Sequence, residues 1–284
     1  RDSLGPIIPP SITLIVYGSI TGVSVSKLFL GSVIPGVLLA LVLAGYALFY
    51  GKKHDLPAHK RKSPKEIACT VKDGIWALLM PVIILGGIFG GIFSPTESAA
   101  VAVIYALLIS FFVYKDMSFK DLGSVLIDSS ISTATILMMV GLSKSSSYVV
   151  TVSGLPETIL SGFASFTDSP IVILLLINVL FLIIGMLMEA NAAIVMMTPL
   201  LLPLIKAFGI DIIQFGIVMS FNMCIGLITP PVGICMLMGN QLAGSKLSAA
   251  LKAVAPMLLM SLIILMLITY IPALTTWLPG FLAE

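Results

Sequence analysis

Apolar runs of about membrane length recur along the chain, separated by short clusters of polar, glycine and proline residues. Positions 26–50, 98–114, 170–188 and 252–272 are largely hydrophobic stretches; 123–143 is apolar but interrupted by Asp128 and several serines and threonines, and 74–93 and 192–207 carry glycine, proline or both. A helix needs about 20 apolar residues to cross roughly 30 Å of hydrocarbon. The runs lack the alternation of a membrane barrel, so they predict helices. Two further pieces, 12–23 and 212–243, adjoin or contain stretches through which no helix continues: "GPIIPPSI" at 5–12 and "GLITPPVG" at 226–233. Adjacent prolines remove two amide donors and leave nearby carbonyls without intrahelical partners, where lipid offers no water to replace them. The segment "GLPETILSGFASF", 154–166, is short and amphipathic and predicts a helix lying along the interface.

Composition turns these runs into a class. Of 284 residues, 58% are hydrophobic and 10% charged, and the mean hydropathy is +1.15. Soluble domains carry about 25% charged residues, so this is an all-α, polytopic integral membrane protein. The net charge of +2 is no nucleic-acid signal, because the positive residues gather in one loop. That loop, "GKKHDLPAHKRKSPK" at 51–65, holds six Lys/Arg against one Asp, and the positive-inside rule places it in the cytoplasm. His54 and His59 both lie there, away from any intramembrane chemistry. Cys69, Cys224 and Cys235 have neither metal-ligand spacing nor a disulfide framework and read as small packing residues. In "SPTESAA", Ser94 is a natural N-cap with Pro95 at N1 and Glu97 at N3, a capping box that gives Glu97 a structural task. Lys144, in the polar stretch 141–150, reads as snorkelling to the interface or, alternatively, as facing an anion. The chain opens with Arg1 directly at a broken-helix motif, so an N-terminal portion is expected to be missing.

The two proline motifs are copies. A shift of 221 positions brings Gly5 onto Gly226, Ile7 onto Ile228, Pro9 onto Pro230 and Pro10 onto Pro231; Gly18, Ser24 and Pro35 then fall on Gly239, Ser245 and Pro256. The matches are the residues that dictate backbone shape, which predicts an internal duplication. Corresponding interrupted segments in two halves are the sequence pointer to a secondary-transporter site. Counting crossings from the basic loop places the final span 252–272 opposite in direction to its partner 26–50, so the copies are inverted. Between 170–188 and 192–207 the turn "MEANA" carries Glu189 and Asn191, and a polar tip at membrane depth favours a re-entrant hairpin over two full spans. A helix broken at Gly226–Gly233 exposes carbonyls suited to Na⁺ and a helix N-terminus suited to an anion, with Thr229 adding a hydroxyl. The same logic applies to Gly5–Ser11.

"GPIIPPSI", "SPTESAA", "ANAAIVMMTPLLLPL…FGID" and "GLITPPVG" together resemble the large membrane subunit of a tripartite ATP-independent periplasmic (TRAP) transporter, over most of the chain. The resemblance implies an inverted-repeat elevator transporter of the bacterial inner membrane that imports organic acid anions with Na⁺ as coupling ion and no other cofactor. It implies as partners a small membrane subunit and a periplasmic substrate-binding protein. It places the Na⁺ region at Gly5, Ile8, Gly185, Gly226 and Thr229, and the substrate region at Pro9, Pro10, Ser11, Glu189, Asn191, Pro230, Pro231 and Gly233. The expected division is 1–50, a first-repeat part of the transport body; 51–72, the basic loop; 73–150, a scaffold; 151–168, an interfacial arm; and 169–284, the second-repeat transport body. No H-E-x-x-H or comparable catalytic motif argues for an enzyme. The alternative is an anion/Na⁺ symporter of another elevator family that works without a binding protein.

Overall fold

The computed structural model describes residues 5, 7–54, 63–154, 158, 161–162, 169–230, 233, 235–236 and 247–282. Pro231, His59, most of the expected arm 154–166 and most of 234–243 lie outside the described residues, as does the side chain of Lys144. Among the described residues all regular structure is helical: α1 (Ile12–Thr21), α2 (Val25–Lys53), α3 (Pro64–Phe89), α4 (Pro95–Leu108), α5 (Phe119–Val152), α6 (Pro170–Leu187), α7 (Ala190–Ala207), α8 (Ile212–Ile228), α9 (Leu247–Tyr270) and α10 (Ala273–Leu282). A π-helical turn, Ile109–Tyr114, continues α4. Six helices among the described residues are long and apolar enough to cross a membrane: Val25–Lys53, Pro95–Tyr114, Phe119–Leu142, Pro170–Leu187, Ala190–Ala207 and Leu251–Tyr270.

The chain divides into two compact units, Leu48–Thr135 and the remainder. In the first, α3 and α4 pack side by side. The Tyr105 hydroxyl donates to the Trp76 carbonyl at 2.7 Å, and the Ser98 hydroxyl to that of Ile84 at 3.3 Å. The turn between them follows the expected capping box. The Ser94 hydroxyl accepts the Glu97 amide at 3.3 Å, and the Glu97 carboxylate accepts the Ser94 amide at 2.8 Å. Ser94→Ala is therefore expected to cost about 1 kcal/mol, read as a thermal midpoint lowered by about 2–4 °C. A second capping box, Ser63 with Glu66, starts α3 at Pro64, so the helix begins within the basic segment 51–72. α5 also runs further than the hydrophobic run 123–143, because the polar stretch 141–150 continues as helix to Val152.

The other unit is built round α8. Every residue from Gln214 to Gly226 is buried, the signature of a helix enclosed on all sides. α6, α7 and α9 pack against it, as do α1 and α10. Val218, Phe221 and Ile225 share one apolar cluster with Leu39 of α2 and with Leu265 and Ile268 of α9. Small residues let the backbones approach. The Tyr17 ring occupies the space a Cβ at Gly216 would take, and its hydroxyl donates to the Ile212 carbonyl at 2.8 Å. α10, beyond the last expected span, lies on α2 where Gly31 meets the Thr275 carbonyl and the Pro279 ring.

Regular helix ends just ahead of Pro230 and begins only after Pro10. α8 ends at Thr229, whose backbone is extended. Residues 7–10 are irregular and α1 begins only at Ile12. The long helix of each copy then carries its matched proline, Pro35 in α2 and Pro256 in α9.

Candidate ion and substrate site

The end of α8 meets the end of α6 backbone to backbone. A Cβ built on Gly226 would lie 2.5 Å from the carbonyl carbon and oxygen of Gly185, and one built on Gly185 would lie 3.3 Å from the Gly226 Cα. No side chain can stand at Gly226 without displacing the α6 backbone, and one at Gly185 is tight. Close approach through small residues is how membrane helices pack when lipid is as apolar as their own side chains.

Immediately beyond this crossing the α8 ladder fails. Pro230 and Pro231 have no N–H, so the carbonyls of Gly226 and Leu227 lose their helical donors. The chain partly compensates. The Thr229 amide donates to the Gly226 carbonyl at 3.0 Å, and the Thr229 hydroxyl to the Ile225 carbonyl at 2.6 Å. The Thr229 hydroxyl oxygen keeps its lone pairs. Gly233, with φ +40°, brings the chain back within reach. Gly185, Glu189, Gly226, Leu227 and Gly233 then line a cavity of about 60 Å³ together with Met186–Met188. That is room for an ion or about two waters.

Glu189 and Asn191 form the polar tip between α6 and α7. The Glu189 carboxylate N-caps α7 by accepting the Ala192 amide at 2.9 Å, and it accepts the Asn191 side-chain amide at 2.9 Å. Glu189 thus has a capping role besides lining the cavity. The Oδ1 of Asn191 is buried with no partner among the described residues.

The first-copy residues are placed elsewhere. Ile7 and Ile8 lie against Gly36 of α2. Ser11 is buried, caps α1 through the Leu14 amide and shares a 2.8 Å hydrogen bond with the Thr13 hydroxyl. Pro9 is buried, whereas Gly5, Ile8 and Pro10 are exposed. None of Gly5, Ile8, Pro9, Pro10 or Ser11 is among the residues lining the cavity at Gly185 and Gly226.

Sequence reasoning overlooked what holds the crossing in register. One turn before Gly226, the Asn222 amide donates to the Asn178 side-chain oxygen at 2.8 Å and to the Val218 carbonyl at 3.0 Å. Asn178 donates onward to the Thr269 hydroxyl at 2.9 Å, tying α8 to α6 and α6 to α9. The signal available was two asparagines within runs otherwise apolar, "LLLINVLF" and "SFNMCIG".

Helices that can cross a membrane, with two segments interrupted at duplicated proline pairs, define a polytopic helical membrane protein. The family described as "Tripartite ATP-independent periplasmic transporter, DctM component" matches residues 2–274, and the chain belongs to that family. It is therefore a multi-pass protein of the bacterial inner membrane, related to transport proteins rather than enzymes. The C4-dicarboxylate TRAP transporter large permease protein DctM of Pseudomonas aeruginosa is 39% identical over 99% of this chain and 66% of its own length. The isethionate TRAP transporter permease protein DctMQ of Oleidesulfovibrio alaskensis is 38% identical over 98% of this chain and 44% of its own. The sialic acid TRAP transporter permease protein SiaT of Haemophilus influenzae is 35% identical over 98% of this chain and 45% of its own. The chain thus spans about half to two-thirds of the length of these relatives.

Proposed function

We propose that the chain forms the membrane-embedded transport part of a Na⁺-coupled importer of organic acid anions, of the sialic acid, C4-dicarboxylate or sugar-acid type. It works with a small membrane subunit and receives substrate from a periplasmic binding protein. The observation that carries this is the Gly185–Gly226 crossing beside a helix end stripped of amide donors, round a space of ion size. Carbonyl oxygens at an unwound helix suit a dehydrated Na⁺. The relatives are named for acids that are anionic at neutral pH, which supports an organic anion as the substrate.

The mechanism is an elevator in which 73–150 stays as scaffold, while 169–284 moves together with 1–50. Na⁺ bound at the α8 break draws the Glu189–Asn191 tip into order and raises affinity for the substrate anion. This coupling is reciprocal, so substrate raises Na⁺ affinity by the same factor. The test is uptake of a panel of organic acids into proteoliposomes holding the full-length protein and its small-subunit partner, with and without binding protein and an inward Na⁺ gradient. Uptake that needs both is expected. Na⁺-driven uptake without a binding protein would move the protein to another elevator family, and flux indifferent to both would mean a pore. Thr229→Val is expected to raise the half-saturating Na⁺ concentration about ten-fold, the equivalent of ~1.4 kcal/mol, with the binding-protein requirement unchanged. Unaltered Na⁺ dependence in Thr229→Val and in a variant with a shortened tip would refute the ion site.

A further inference from the structure

The last helix, α10, has two unlike faces. Thr275 and Pro279, one turn apart, are buried. Both sit against Gly31 of α2, where any side chain would strike the Thr275 carbonyl. Trp277 and Phe281 are also one turn apart, and at about 3.6 residues per turn they fall on the opposite side of the helix. They are 59% and 71% exposed, and their rings stack with centroids 5.9 Å apart and planes at 10°. Two rulers place that face at the edge of the membrane. α10 begins where a span runs out: Leu251–Tyr270 is 20 residues long, about what the hydrocarbon core requires. The chain then turns at Pro272, whose carbonyl accepts the Thr275 and Thr276 hydroxyls at 2.9 Å each, which fastens the corner. Gly31 agrees, since it lies in the first third of α2, a helix of membrane-spanning character whose far end carries Lys52 and Lys53.

We infer that α10 is an interfacial foot whose Trp277–Phe281 pair inserts into the lipid at the boundary between acyl chains and headgroups, on the membrane face away from the basic segment 51–65. Trp277 combines an apolar ring with a single N–H, which suits a zone where hydrocarbon meets ester carbonyls. The lipid-facing surface is continuous up to this point. Leu259, Ile263, Leu267 and Tyr270 of α9 are exposed at helical spacing, a stripe that leads to the Pro272 corner. Positions 271–282 carry no charged residue, whereas a face that docks a soluble protein has a polar rim. The opposite face of α10 is held by α2, so no charged face is needed to keep the helix at the surface. The ring pair thereby fixes the level of the α9–α10 corner in the bilayer, independently of what is transported.

The test uses the full-length protein in vesicles of phosphatidylcholine brominated either beside the ester carbonyls or near the chain ends, with acrylamide as the quencher in water. Emission of Trp277→Phe is subtracted from that of the unaltered protein, which isolates Trp277 whatever other tryptophans contribute. The substitution keeps a ring beside Phe281 and leaves the buried face of α10 untouched; Trp277→Tyr gives a second reference. The difference signal should be blue-shifted, lose most of its intensity in vesicles brominated beside the carbonyls, and resist acrylamide. Quenching strongest at the chain ends would place Trp277 in the hydrocarbon core, and quenching by acrylamide alone would place it in water; either result overturns the inference. So would a signal that neither quencher reaches, because a second copy of the chain or another protein would then cover the face.

Discussion

Gly226→Ala is expected to abolish Na⁺-driven uptake and to destabilise the protein by at least the upper end of the ~1–3 kcal/mol typical of overpacking. The added methyl would lie 2.5 Å from the Gly185 carbonyl carbon and oxygen. These are backbone atoms, which cannot rotate aside as a side-chain end would. α6 or α8 must move instead, and either movement opens the cavity at the α8 break. Gly185→Ala meets the Gly226 Cα at a milder 3.3 Å, so its loss should be partial. Gly45→Ala and Gly123→Ala are the controls. Nothing lies within 4 Å of a Cβ at either, and replacing a mid-helix glycine should stabilise by about 0.5–1 kcal/mol. Uptake and thermal unfolding measured on all four variants check the prediction. Normal uptake by Gly226→Ala would show that the crossing does not shape the ion site.

The second large effect is expected at Asn222. Asn222→Leu removes the donor to Asn178 and leaves the Asn178 side-chain oxygen without a partner in a fully buried position. An orphaned buried acceptor costs about 1–3 kcal/mol, whereas hydrogen bonds between membrane helices average nearer 0.6 kcal/mol. Enclosure decides for the larger figure, since Asn178 and Asn222 are both at 0% exposure and an orphaned oxygen would find no water. Asn178→Leu should cost a similar amount by also releasing Thr269. The double variant should cost less than the sum, because the Asn222 donor and the Asn178 acceptor vanish together. Thermal unfolding of the two single variants and the double variant measures the coupling. Strict additivity would mean that the asparagines do not act as a pair. Loosening α6 should also weaken Na⁺ activation, since Asn222 stands one turn before Gly226.

Much of the architecture was legible because its causes are local. Ser94-Pro95-Glu97 starts α4 as a capping box must, and the same pattern at Ser63-Pro64-Glu66 starts α3. The second was overlooked because the surrounding charge reads as loop. The stop at Thr229 follows from Pro230 and Pro231 lacking N–H groups. The turn at Met188–Glu189 follows from two polar residues amid hydrocarbon. The polar stretch 141–150 misled, because serine and lysine reduce hydropathy without preventing helix, and α5 runs through them. α10 was illegible for the opposite reason: Pro272 and Pro279 argue for a chain end, yet 273–282 forms a helix that finds a seat on α2 at Gly31.

The sequence by itself determined that this is a helical membrane protein, that it carries a duplicated proline break, and where each break falls. Hydropathy, missing amide donors and caps act within a few residues, so they are written in order along the chain. Tertiary structure alone decided that Gly185 meets Gly226, that Asn178 meets Asn222, and that the break at 226–233 shares a cavity with the Glu189 tip while the break at 5–11 lies elsewhere. Those partners stand tens of residues apart in sequence. A glycine in a hydrophobic run looks the same whether it faces lipid, as open space at Gly45 allows, or a neighbouring backbone, as at Gly226. Only the packing of one helix on another distinguishes the two.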